Sequence, residues 1–132
     1  MRKTHTIDAT NRPLGRLAVE VAILLRGKQR VDFEPRKDIG GIVFVKNARQ
    51  IKLTGKKLNQ KIYYHHSGYH GGLKELTMKK LFAMKPSEVL RKAVYGMLPN
   101  NKLRDRQITR LKFIKSEAPA SSAGRQNSKL EI

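Results

Sequence analysis

Cysteine and tryptophan are absent from this 132-residue chain, and acids are scarce: ten Asp and Glu stand against 29 Lys and Arg. Without cysteine there is no disulfide framework and no thiolate metal site. Long apolar runs are missing too. The longest, Leu17 to Leu25, is broken by Glu20 and falls well short of the roughly 20 residues that span a bilayer. Arg2 and Lys3 are not followed by an apolar stretch, which argues against a signal peptide. Catalytic signatures are equally thin. There is no G-x-G-x-x-G and no G-x-S-x-G, and Thr54-Gly55-Lys56 lacks the upstream glycine spacing of a phosphate loop. The early acids Asp8, Asp32, Glu34 and Asp38 read as caps, turn residues or internal partners of basic side chains, not as an acid–base pair. The expectation is a protein that is not an enzyme and has no cofactor and no small-molecule substrate.

What the chain has in surplus is positive charge, a formal +19. Self-repulsion of that size works against a compact state unless a polyanion offsets it. Each phosphate contact also releases condensed counterions, so the natural partner is nucleic acid. An anionic membrane would call for a polybasic block or an aromatic-faced amphipathic helix. Here tryptophan is missing and the basic residues spread from Arg2 to Lys129, so no membrane partner is expected.

The length fits one domain. Thr4 to Ala9 reads as a strand, and Thr10, Asn11 and Pro13 as the punctuation before a helix. Leu14, Leu17, Ala18, Val21, Leu24 and Leu25 have helical spacing, with Gly27 as the stop. Val31 to Gly41 is a charged loop. Ile42 to Val45 is a continuous β-branched and aromatic run, as in a strand of a parallel sheet. Ile51 and Leu53 suggest another strand, ending in a hairpin-like bend at Gly55-Lys56-Lys57. Lys61 to His65 reads as extended, and Leu73 to Met84 as helical through Leu76, Lys80 and Ala83. Pro86 opens a helix carrying Leu90, Val94 and Leu98. Leu103 to Leu111 suggests a short helix and Lys112 to Lys115 a last strand. From Ser116 the composition turns to Ala, Ser, Pro and Gly, so residues 1–115 are expected to form the domain and 116–132 a flexible tail. The alternation gives a mixed α/β layer fold.

Three segments carry candidate contacts. Lys61 to Leu73, KIYYHHSGYHGGL, holds three of the four His and three of the four Tyr. Tyr64, His65, His66, Tyr69 and His70 can stack on bases and reach phosphates or 2′-hydroxyls, and Gly71 and Gly72 allow close backbone approach. The segment has no Cys, Asp or Glu to complete a metal site around its imidazoles, so no metal is expected. Alternation along a strand would bury one of Tyr63 and Tyr64 and expose the other. The second segment offers Arg91, Lys92, Lys102, Arg104, Arg106 and Arg110, with Arg106 and Arg110 on one helical face and Asp105 the one nearby acid. The third is Arg26 and Lys28, where complementing the helix dipole explains the charge equally well. The Gly55 turn adds Lys56 and Lys57.

Three signatures in this order and spacing resemble a known family. They are Ile7-Asp8-Ala9-Thr10 followed by Leu14-Gly15-Arg16-Leu17-Ala18, the run Tyr63 to Gly72, and Ala93-Val94-Tyr95-Gly96-Met97-Leu98-Pro99-Asn100-Asn101. Together they resemble the large-subunit ribosomal protein family numbered thirteen, in its bacterial type, over roughly Thr4 to Ile114. The resemblance implies a single three-layer α/β/α domain around a small, mostly parallel sheet. It implies a structural constituent of the large ribosomal subunit that binds ribosomal RNA, joins early in assembly, supports translation and touches neighbouring ribosomal proteins. The expected location is the cytoplasmic ribosome or that of an organelle, and a second, regulatory RNA-binding role off the ribosome stays open. The sequence departs from the family at both ends. A short extension usually precedes the first strand, and the last residues are commonly richer in His and Gln than Ser116 to Ser128.

Overall fold

The computed structural model describes residues 2–114 and 130–131. Its elements run β1 (Thr4–Asp8), α1 (Leu14–Arg26), β2 (Ile42–Lys46), a 3-10 turn (Ala48–Gln50), α2 (Lys57–Gln60), β3 (Ile62–His66), β4 (Leu73–Thr77), α3 (Met78–Met84), α4 (Pro86–Met97), α5 (Leu103–Ile108), β5 (Leu111–Ile114) and β6 (Leu130–Glu131). The four-stranded sheet has the order β1-β2-β5-β6, with the first three strands parallel and β6 antiparallel to β5. The α/β class and the small, mostly parallel sheet are thus as the sequence implies. The expected tail, 116–132, lies outside the described residues except at Leu130–Glu131, which pair with β5.

Register sorts the side chains of the three parallel strands. Ile7 lies opposite Val45, and Val43 and Val45 lie opposite Leu111 and Phe113; all five are buried. Leu17, Ala18, Val21 and Leu25 of α1 and Leu90 and Val94 of α4 close over them in one cluster. Each fully buried Leu or Val contributes about 1.5–3 kcal/mol of transfer free energy. Both crossovers advance in the same direction across the sheet, and right-handed crossovers of that kind place their helices on one face. On the opposite face Thr4, Thr6, Asp8 and Lys46 are exposed and Ile42, Phe44, Lys112 and Ile114 half-buried.

α1 ends where expected: Gly27 takes φ +81 and its N–H donates to the Ile23 carbonyl at 2.9 Å. Its start differs. No Thr10 or Asn11 side chain caps it; Pro13 is the N-cap residue, and the Leu14 N–H donates instead to the Lys52 carbonyl at 3.2 Å. That bond belongs to a short ladder in which Asn11 also donates to Gln50 and Lys52 to Arg12. Residues 51–53 are therefore not a sheet strand; Lys52 makes a single bridge to Pro13, and Ile51 is buried as an anchor. Gly55-Lys56-Lys57 opens α2 and is not a hairpin bend.

The largest correction concerns Leu73 to Met84. Its first five residues form β4, antiparallel to β3, and the helix begins at Met78. Leu73 and Leu76 suit a helix by spacing, but the glycine turn at 68–72 returns the chain alongside β3, and cross-strand pairing prevails there. Thr77 then caps α3, its Oγ1 accepting from the Lys80 N–H.

Candidate nucleic-acid interface

β3 and β4 form a hairpin whose base is anchored and whose outer half stands clear. Tyr63 and Leu76, paired across the base, pack against Met78, Leu81 and Val89. Beyond them Tyr64 is 64% exposed, Tyr69 79% and Leu73 53%, so both faces of the outer hairpin meet solvent. The alternation expected for the adjacent tyrosines is present: Tyr63 turns inward and Tyr64 outward. Lys61 and Lys92 lie 5.4 and 5.6 Å from the Tyr63 ring centroid, which joins α4 to the hairpin base. Burial raises the Tyr63 hydroxyl above its ordinary pKa.

The segment from Ser67 to Gly72 is thus the closed tip of a hairpin. Ser67 N–H donates to the Gly72 carbonyl, and Gly72 N–H to the Tyr69 carbonyl. Gly68 and Gly71 hold φ of +89 and +70, which L side chains rarely adopt. The Gly68 N–H donates to His66 Nδ1 at 2.9 Å. Neutral His66 then carries its proton on Nε2, which is left to donate outward to an oxygen or a base acceptor. His66, Tyr69 and His70 line a shallow concavity together with Gly68 and Gly71. Among the described residues no three His, Cys, Asp or Glu side chains are placed to hold a metal ion.

The second segment separates into cations of different kinds. Lys92, Lys102 and Arg106 are exposed. Arg91 is half-buried, paired with Glu88 at 3.6 Å and set over the Phe113 ring, so it packs as much as it projects. Arg104 stacks on Tyr95, its Cζ 3.7 Å from the ring centroid. Arg110 is committed to the interior. Its guanidinium grips Asp38 through two bonds of 2.7 and 2.6 Å and also donates to the Leu25 carbonyl at 2.9 Å. It lies beyond the end of α5, so the shared helical face with Arg106 is not formed. The reason is tertiary: Asp38, 72 residues away, pulls Arg110 onto the loop after α1 and locks that loop to the body. The same bonds, with Arg2 alongside at 3.5 Å, hold the Asp38 carboxyl below its ordinary pKa.

Arg26 stacks over Phe33 at 5.0 Å and Lys28 is exposed beyond the α1 stop. Lys56 and Lys57 are exposed at the start of α2, which packs on α3 and β4 near the hairpin base. The structure therefore gathers Lys61, Lys92 and the hairpin together, with Lys56 and Lys57 close by. Tyr95 stands in the third sequence signature but is not among the expected contacts; an aromatic nine residues before Arg104 follows no fixed spacing that flags the pair.

The α/β body thus turns loose cations and an aromatic hairpin to solvent. The sequence profile of ribosomal protein L13 matches residues 2–119. The large ribosomal subunit protein uL13 of Nitratidesulfovibrio vulgaris is 52% identical over 111 residues, covering 84% of this chain and 77% of that protein. That of Clostridioides difficile is also 52% identical, covering 84% and 78%. That of Geobacter sp. (strain M21) is 48% identical over 122 residues, covering 92% and 86%. The chain belongs to the ribosomal protein L13 family. It is a structural constituent of the large subunit of a bacterial-type cytoplasmic ribosome, and not an enzyme. No helix among the described residues is long and apolar enough to cross a membrane.

Proposed function

We propose that the chain binds large-subunit ribosomal RNA directly, with the β3–β4 hairpin as its principal contact. The observation that carries this is the hairpin's outer half, exposed on both faces in a chain of net charge +19. A two-stranded ribbon is marginal by itself in water, and a surface of Tyr64, His65, His66, Tyr69 and His70 is costly to leave unused. Bases stack on such rings, the imidazoles reach phosphates and 2′-hydroxyls, and Gly71 and Gly72 let the strand approach. Lys56, Lys57 and Lys92 neutralise phosphates around the hairpin base, with Lys102, Arg104 and Arg106 on α4–α5 and Arg26 and Lys28 beyond α1 as further contacts. Arg91 contributes mainly by packing, and Arg110 by holding the loop at Asp38.

The mechanism is scaffolding. Cations neutralise phosphates where RNA segments crowd, and the hairpin fixes the local RNA path, which suits a protein that joins early in subunit assembly. The outward face of α1, with Val19 and Ile23 exposed, is available for a neighbouring ribosomal protein. Binding of the full chain to protein-free large-subunit RNA, followed across salt concentrations, tests the reading. Affinity should fall linearly on a log–log plot, with a slope near −0.7 to −0.9 per phosphate neutralised. Binding that ignores salt, or is no tighter than to an unrelated RNA of equal length, counts against it.

A further inference from the structure

Arg104 differs from the exposed cations around it because it is held in one orientation. Its guanidinium lies over the Tyr95 ring, Cζ 3.7 Å from the centroid. Nε donates to the Tyr95 carbonyl at 2.9 Å, and Nη1 to Asn100 Oδ1 at 3.4 Å. The Tyr95 hydroxyl donates to Asp105 Oδ1 at 3.1 Å, which fixes the ring beneath. Asp105 could have been the ion-pair partner of its neighbour. Instead it binds the tyrosine, and among the described residues Arg104 has no carboxylate within salt-bridge distance. Nη2 has no partner among the described residues, and Nη1 has the one long bond to Asn100, which leaves N–H groups at the outer end of the guanidinium for a ligand. Two N–H groups side by side on one edge of a guanidinium match two oxygens of one phosphate. A long side chain gives up rotamer freedom when it captures a ligand, and Arg104 has given up most of it beforehand.

We propose that Arg104, stacked on Tyr95, is a preset receptor for one phosphodiester of the RNA, with Tyr95 as the residue that positions it. The inference rests on the RNA-binding reading above and adds the ligand group and the way it is held. Lys102 and Arg106, exposed nearby, supply charge without a fixed geometry.

The test compares the full chain with Arg104→Lys, Tyr95→Phe, Tyr95→Ala and the Arg104→Lys/Tyr95→Ala pair, using protein-free large-subunit RNA as the probe at several salt concentrations. Arg104→Lys keeps the charge and so the salt slope, yet should bind about tenfold more weakly because the two-point fork is gone. Tyr95→Phe retains the ring and the backbone carbonyl but loses the hydroxyl bond to Asp105 that fixes the ring, so it should bind between the parent and Tyr95→Ala. Tyr95→Ala should weaken binding as Arg104→Lys does, and the double variant should be no weaker than either alone. Thermal melts confirm that each variant is folded. An Arg104→Lys protein that binds as tightly as the parent overturns the receptor while leaving RNA binding intact. Additive losses in the double variant overturn the positioning role of Tyr95. A parent chain that does not bind the RNA overturns the underlying reading as well.

Discussion

Arg110 and Asp8 show how two residues of ordinary appearance are given internal tasks. The Arg110 guanidinium and the Asp38 carboxylate are 12% and 15% exposed and joined by two short bonds. Removing one member of such a pair strands the other in a half-dry site. Arg110→Ala should therefore destabilise the fold by about 3 kcal/mol, read from a denaturant titration, while the RNA affinity of the folded fraction stays near the parent's. A lost affinity with unchanged stability would return Arg110 to the list of RNA contacts. Gly40 belongs to the same junction: a Cβ there would overlap the Leu25 carbonyl, so the loop can close on α1 only with glycine at that position. Asp8 accepts from the Thr10 hydroxyl, the Asn47 amide and the Thr10 N–H, and these bonds bring its pKa from 3.8 down to about 2. Because the folded-state value is depressed, the carboxylate's contribution is complete above the unfolded value and is lost as pH falls from near 4 toward 2. Asn47→Ala should raise the Asp8 pKa toward 3.8, visible in a carboxyl titration followed by NMR. An unmoved value would show that the Asn47 bond does not matter.

The hairpin is the element on which the functional reading turns, and its stability and its recognition are separable. Tyr63 and Leu76 secure the base, while Tyr64 and Tyr69 protrude. Tyr64→Ala and Tyr69→Ala should leave the melting temperature nearly unchanged and each cost about 1–3 kcal/mol of RNA binding, the worth of a stacked base. A variant that melts early but binds normally would mean that the rings serve the fold. How much of this was legible depends on how local the determining contacts are. α1 and α4 were readable because a 3.6-residue apolar stripe lies between plain signals, Gly27 and Pro86. β2 was readable because Ile42 to Val45 suits a strand of a parallel sheet. β4 was misread because LKELT fits helix and strand alike, and its partner β3 is recruited through a turn whose shape depends on Gly68 and Gly71. The ladder at residues 50–53 was misread because it bonds the start of α1 and not the sheet. In the candidate site, the composition of Lys61 to Leu73 singles out the segment that the structure folds into an exposed hairpin. The division of labour among the arginines was invisible, since Asp38 lies 72 residues from Arg110 and Tyr95 nine from Arg104.

At the scale of the whole molecule the design is asymmetric. The long helices and nearly all fully buried side chains lie on one face of the sheet, and a strongly basic surface with a projecting hairpin makes up much of the rest. With 29 cations and ten acids, the chain suits a surface packed with phosphates, which fits its membership of the L13 family and its place in the large subunit. The central claim is that the hairpin reaches RNA in that setting. Ultraviolet crosslinking of intact large subunits, with mass-spectrometric mapping of the RNA-bound peptides of this chain, tests it most directly. The account predicts nucleotide adducts between Tyr64 and Gly72, where aromatic and imidazole side chains are exposed. Adducts confined to other segments, with Tyr64 and Tyr69 still open to chemical labelling inside the subunit, would contradict it.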